Sequence, residues 1–169
     1  SEAELDKNVL DRLKDPLVHI IRNSIDHGIE TPSWRRELGK PEQGTLSLRA
    51  QHSGASVLIE VEDDGAGLDA EKIRAKAEQR GLITAEQELT EQEIYNLIFE
   101  PGFSTSEEAT NVSGRGVGMD VVRSNLESIS GNVSICSYPG EGSTIALRIP
   151  LTLAILDGLL VMVAVQRYM

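Results

Sequence analysis

The chain has little with which to cross-link itself, neutralise a polyanion or span a bilayer. It holds one cysteine, Cys136, so neither an internal disulfide nor a cysteine cluster for a metal can form, and a reducing compartment is expected. Cys136 itself, in the strand-like "NVSICS", reads as a small buried hydrophobe. Cations are scarce: 16 Lys and Arg against 27 Asp and Glu leave a formal net charge of −11. No basic run is present that could neutralise a row of phosphates, which argues against nucleic acid as a partner. No apolar stretch reaches the roughly 20 residues of a membrane helix. The longest, "PLTLAILDGLLVMVAV", is broken by Asp157 and Gly158, and there is no amino-terminal signal pattern, so a soluble, cytoplasmic protein without direct membrane insertion is expected.

What remains is enough for one core. At 169 residues and 40% hydrophobic, the chain suits a single domain of ordinary size. "ELDKNVLDRLKDPLVHIIRNSIDHG" has helical spacing, divided or kinked at Pro16 and stopped at Gly28. "GTLSLRAQHSGASVLIEVEDDGAG" alternates apolar and polar residues around "HSGA", which predicts an antiparallel hairpin from Thr45 to Asp63. "LDAEKIRAKAEQRG" predicts a short helix ending at Gly81. "LTEQEIYNLIFEPG" predicts another that opens on a Thr90/Glu93 capping box and breaks at Pro101. A long, small and polar segment, "FSTSEEATNVSGRGVG", precedes the helical "GMDVVRSNLESISG". "NVSICSYPGEGSTIALRIP" then predicts a second hairpin turning between Pro139 and Gly142. The order of elements predicts an α+β fold, a two-layer sandwich with helices on one face of a mixed, mostly antiparallel sheet.

Three stretches carry chemistry. On the helical wheel Leu17, Val18, Ile20, Ile21, Ser24 and Ile25 fall on one side, and His19, Arg22, Asn23, Asp26 and His27 on the other. A merely solvated face favours Lys, Glu and Gln. Here Asn23 instead stands one turn from both His19 and His27, a row suited to hydrated Mg²⁺ and phosphate oxygens. "VEDDGAG" ends a strand on two carboxylates followed by glycines. One inward aspartate could accept from the exocyclic amine of adenine, while guanine would present an acceptor there. "SGRGVGMD" sets glycines at 114, 116 and 118 before a helix. It is neither a Rossmann nor a Walker motif, yet glycine-rich backbone feeding a helix amino terminus suits a polyphosphate. The preceding "FSTSEEATN" has the composition of a mobile cover.

In order, and over almost the whole chain, the asparagine helix, "DDGAG", "FEPGFST", "SGRGVGMD" and "GSTIALRIPLTLAILDG" resemble the N, G1, F and G2 boxes of a shared ATP-binding fold, the Bergerat type, found in histidine kinases, DNA gyrase, Hsp90 and MutL. The details resemble the kinase domain of the CheA family of chemotaxis histidine kinases. The resemblance implies ATP and Mg²⁺ as cofactors, residues 1–157 as the catalytic domain with its amino-terminal part missing, and 158–169 as the opening of a regulatory domain. It implies that Asn23 coordinates Mg²⁺, with His19 the second metal candidate, and that Arg22, Asp26 and His27 line the triphosphate region. Asp63, rather than Asp64, would take the adenine amine, Gly65 and Gly67 would border the ring, and Thr144 would help hold it. Ser104, Thr105 and Ser106 with Ser113, Gly114, Arg115, Gly116, Val117, Gly118 and Met119 would form the lid and phosphate cradle, and Leu68, Ile73 and Met119 apolar walls. Some relatives carry a lysine just after "FST", where this chain has Ser106; Arg115 is the candidate substitute. The family also carries a strand and helix ahead of this segment, so an incomplete sheet edge is expected.

The gyrase, Hsp90 and MutL relatives carry a glutamate four residues before the asparagine, where it can activate water. Here that position is His19, which favours phosphoryl transfer over hydrolysis. None of the three histidines suits the acceptor, since His19 and His27 are in the site and His52 is in a hairpin turn. The resemblance therefore implies a separate histidine phosphotransfer domain as substrate. It implies further a response regulator downstream, a chemoreceptor and coupling protein, and a homodimer in the intact kinase.

Overall fold

The computed structural model describes residues 7–104 and 118–151. In chain order the elements are α1 (Lys7–Asn23) running into a π-helical turn (Ser24–Gly28), α2 (Pro32–Glu37), β1 (Leu46–Ser53) and β2 (Ser56–Asp63). Then come α3 (Ala70–Gln79), α4 (Glu91–Asn96) with a 3₁₀ turn (Leu97–Phe99), α5 (Met119–Glu127), β3 (Asn132–Tyr138) and β4 (Gly142–Pro150). The sheet order is β1-β2-β4-β3 and every pairing is antiparallel, so among the described residues the sheet is not mixed. The two hairpins read from the sequence thus join through β2 and β4, the inner strands. Their alternation puts Val57, Ile59 and Val61 with Ile145, Leu147 and Ile149 on one buried face. Against it pack Ile20 of α1, Ile73 of α3, Ile94 of α4 and Leu126 of α5, one continuous core.

Local chemistry accounts for the element boundaries. The β1–β2 turn is two residues, with Gly54 at φ +64°, the left-handed geometry that two-residue hairpins require. Asp69 caps α3 by accepting from the Lys72 N–H, and Thr90 and Glu93 form the reciprocal capping box of α4. Pro16 does not divide α1; it lies buried inside the helix. Helix α2 has no counterpart in the sequence reading, although Pro32 at its first turn and Gly39 at φ +73° just beyond it are ordinary start and stop signals.

Two readings of burial are corrected. Along α1 and into the π turn the buried residues are Leu13, Pro16, Ile20 and Ser24, whereas Val18 is 48% and Ile25 55% exposed. Measured from Ile20, Val18 lies about 200° and Ile25 about 140° around the wheel, so a stripe centred on Ile20 cannot include them. Cys136 is exposed, because the alternation that buries Ile135 and Ser137 turns it outward. At the sheet edge, Leu48 pairs with Val61 and shares its face, yet is 55% exposed.

Ile20→Ala should lower unfolding free energy by about 2–5 kcal/mol and Val18→Ala by no more than about 0.5. Urea titration of both variants measures this, and equal effects would contradict the observed stripe.

Candidate functional site

The site begins where α1 ends. Asn23 Nδ2 lies 3.2 Å from His19 Nε2, one turn back, and 3.1 Å from the Met119 sulfur at the first residue of α5. A thioether can only accept, so the amide NH₂ must face Met119. His19 Nε2 must then accept as well, which puts the imidazole proton on Nδ1. The His19 pKa is lowered, first by burial and then by Arg22, against a weaker raising influence from Asp120, and this favours the neutral ring that the bond requires. The end of Asn23 engaged by neither neighbour is the carboxamide oxygen, a hard-cation ligand. His19's acceptor nitrogen is occupied by Asn23. Among the described residues no group of three or more His, Cys, Asp or Glu could hold a metal ion.

Asp63, buried at the end of β2, accepts the Gly65 N–H at 3.0 Å through Oδ1. Its Oδ2 faces Gly28, the last residue of the π turn, where an added Cβ would stand 3.4 Å away. The Gly28 carbonyl accepts the Ala66 N–H at 2.9 Å, and a Cβ on Gly65 would overlap that carbonyl. Gly67, at φ +73°, packs equally tightly on the Tyr138 carbonyl. These glycines therefore let the loop seat its backbone against two neighbouring segments, a role the sequence reading had given to a flat ring. The Ser137 hydroxyl, buried, accepts the Leu68 N–H at 2.7 Å and lies 2.9 Å from Ser143 Oγ. Register corrects one assignment: Asp63 pairs with Ser143, whereas Thr144 pairs with Glu62 and Cys136 and so occupies the opposite face. The hydroxyl beside Asp63 is that of Ser143.

Behind this loop is a charged cluster absent from the sequence reading. Arg35, 1% exposed, bonds Glu30 Oε2 and Asp64 Oδ2 at 2.9 Å each, and its Nε donates to the Pro41 carbonyl at 2.7 Å. Lys40 bonds Glu30 Oε1 at 2.7 Å and donates to the carbonyls of Asp64 and Gly65 at 3.1 and 2.8 Å. Asp64 is thus a structural anchor, its Oδ1 taking the Thr45 N–H at 2.9 Å. For Glu30, burial pushes the carboxyl up, but Lys40, the chain's own N–H and Arg35 together hold it below the ordinary range. Asp64 is lowered likewise: Thr45, Arg35 and Lys40 outweigh burial.

The other expected residues sit as follows. Arg22, Asp26 and His27 are exposed where α1 meets the π turn. Leu68 is half-buried against the core and Ile73 is within it. Gly118 caps α5, and a Cβ there would lie 3.9 Å from that of exposed Ser104. Thr105, Ser106, Ser113, Gly114, Arg115, Gly116 and Val117 lie outside the described residues. The π turn, five residues long, is the bridge between the two halves: Asn23 precedes it, and Gly28 ends it against Asp63.

Residues 12–153 match the family described as histidine kinase-, DNA gyrase B-, and HSP90-like ATPase. The chain is 55% identical over 163 residues to the chemotaxis protein CheA of Bacillus subtilis, covering 95% of this chain and 24% of that protein. It is 54% identical over 164 residues to the CheA of Salmonella typhimurium, covering 97% and 24%. The chain thus spans about a quarter of the length of these relatives. Among solved structures, the blue-light activated histidine kinase of Erythrobacter litoralis superposes with a TM-score of 0.50 at 14% identity, over 87% of this chain and 32% of that one, a likeness of fold.

The charged cluster predicts acid sensitivity. Both carboxyls are lowered in the folded state, so their contribution is present above the unfolded values, about 4, and is lost as pH falls through the folded ones. Stability to urea should therefore decline as pH falls below about 5 and go on falling through the carboxylate range. Glu30→Gln should be less stable at neutral pH and show a shallower decline; an unchanged slope would remove Glu30 as its source.

Proposed function

Since this chain belongs to the family of histidine kinase-, DNA gyrase B- and HSP90-like ATPases, we propose that it binds ATP with Mg²⁺ and is the catalytic domain of a CheA-type histidine kinase. It passes the γ-phosphoryl group to a histidine on a separate phosphotransfer domain. The observation that carries the kinase reading is the state of His19. The position four residues before Asn23 holds no carboxylate, and the imidazole found there has its acceptor nitrogen engaged by the Asn23 amide. It is not poised as a base for water, which leaves the γ-phosphoryl for another acceptor.

The residues present fit the ligand. Asn23 offers its carboxamide oxygen to Mg²⁺, while His19 and Met119 hold the amide from behind. When bound, the cation supplies charge neutralisation on the phosphates. Asp63, through Oδ2, accepts the adenine amine, and Ser143 stands on the same face. Backbone at Gly118 and the first turn of α5 face the phosphate end, with residues 113–117 leading into them. In the transfer, a bond forms between an imidazole nitrogen of the acceptor and the γ-phosphorus as the bridging P–O bond breaks, and ADP leaves. The protein's work is positioning and electrostatics. In the intact protein, acting as a homodimer, the group goes on to response regulators, under control of a chemoreceptor and coupling protein.

Incubation with labelled ATP, Mg²⁺ and a purified CheA phosphotransfer domain tests the reading. Label should reach the acceptor histidine. Asn23→Asp should lower the rate by about 10² or more, because a second negative charge meets the phosphates. Steady phosphate release without an acceptor would assign the chain to the hydrolytic branch instead, and absence of nucleotide binding would overturn both. Asp63→Asn should weaken ATP binding in calorimetry while leaving the fold intact by circular dichroism, and unchanged affinity would remove Asp63 as the adenine acceptor.

A further inference from the structure

Lys40 reaches the loop after β2 only through backbone carbonyls, those of Asp64 and Gly65, and stands one peptide away from the carboxylate that reads the base. The amide linking Asp64 to Gly65 has two polar ends. Its N–H donates to Asp63 Oδ1 at 3.0 Å. Its carbonyl, that of Asp64, receives Lys40 Nζ at 3.1 Å and an Arg35 guanidinium nitrogen at 3.2 Å. Lys40 also takes the next carbonyl, Gly65, at 2.8 Å. Two cations therefore fix the tilt of the peptide plane whose far end fixes the Asp63 carboxylate. Cationic donors on a carbonyl also polarise its amide, strengthening the N–H as a donor.

The cations are themselves held. Glu30 accepts from both, one oxygen to each, and its side chain is 4% exposed. Arg35 is further tied to Asp64 Oδ2. Only one oxygen of Asp63 is constrained in this way, which leaves Oδ2 as the one aimed at a ligand.

Resting on the reading of Asp63 as the adenine acceptor, we infer that Lys40 is a positioning residue for base selection. Together with Arg35 it locks the Asp64–Gly65 peptide and, through that peptide's N–H, the orientation of the Asp63 carboxylate. A lysine with a purely structural role would change stability and all nucleotide affinities alike. A positioning lysine changes the preference between bases.

The test compares ATP with inosine triphosphate, which carries a carbonyl where adenine carries its amine, by calorimetry on the full chain. Wild type should prefer ATP by at least about tenfold. Lys40→Met, which keeps an unbranched apolar stem where the parent side chain is 19% exposed, should lose most of that preference while its affinity for Mg²⁺-tripolyphosphate stays as in wild type. A folded K40M that keeps the full ATP preference overturns the inference and leaves the Asp63 reading standing. A wild type without any preference overturns the Asp63 reading, and the inference with it. Should K40M not fold, Lys40→Gln, which is shorter and uncharged, is measured the same way and read by the same two outcomes.

Discussion

A guanidinium that has left water is the constraint on which the site's architecture rests. Arg35 is 1% exposed, and such a charge is tolerable only when its donors are satisfied by anions and carbonyls fixed in place. Its partners come from three stretches of chain: Glu30 after the π turn, Pro41 after α2, and both the carboxylate and the carbonyl of Asp64 after β2, with Lys40 sharing Glu30 and the Asp64 carbonyl. Buried ion pairs add little net stability compared with apolar packing, but removing one member leaves an uncompensated charge. The cluster therefore specifies geometry more than it adds stability. It pins the end of β2 to the segment leaving the π turn, the join that separates Asn23 from Asp63.

The two ends of that site are built differently. At Asn23 the support is soft: a neutral imidazole and a thioether, acceptors that orient an amide without competing for a cation. At Asp63 it is hard: backbone seated on backbone, with glycines where any side chain would collide with a carbonyl.

Much of the plan was legible in the sequence, for reasons that separate cleanly. Both hairpins, the α4 capping box and the one-turn pairing of Asn23 with His19 follow from local chemistry: two-residue alternation, hydroxyl and carboxylate at cap spacing, and helical spacing. What escaped depends on partners distant in the chain. Arg35 carries no local signal of burial, and it is Glu30 together with Asp64, distant in the chain, that enclose it. Ser143 and Thr144 are adjacent and chemically alike, and only the pairing with β2 decides which shares Asp63's face. Val18 and Ile25 are as apolar as Ile20, but α1 has one stripe facing the core and they are not on it. Cys136 was misread for the same reason: hydrophobicity suggested the interior, and strand alternation set it outside.

The strand order β1-β2-β4-β3 carries a consequence for how the molecule comes to exist. The outer pairs close within hairpins, but the central pair brings Asp63 against Ser143, about 80 residues away along the chain, and such non-local closure is the slow step of β-rich folding. Asp63 lies at the terminus of that central ladder, so its setting depends on a long-range pairing. A partly unfolded chain can therefore carry α1, with Asn23 and His19 one turn apart, and still lack the Asp63 end of the site. That end is in this sense a report that the central ladder has closed.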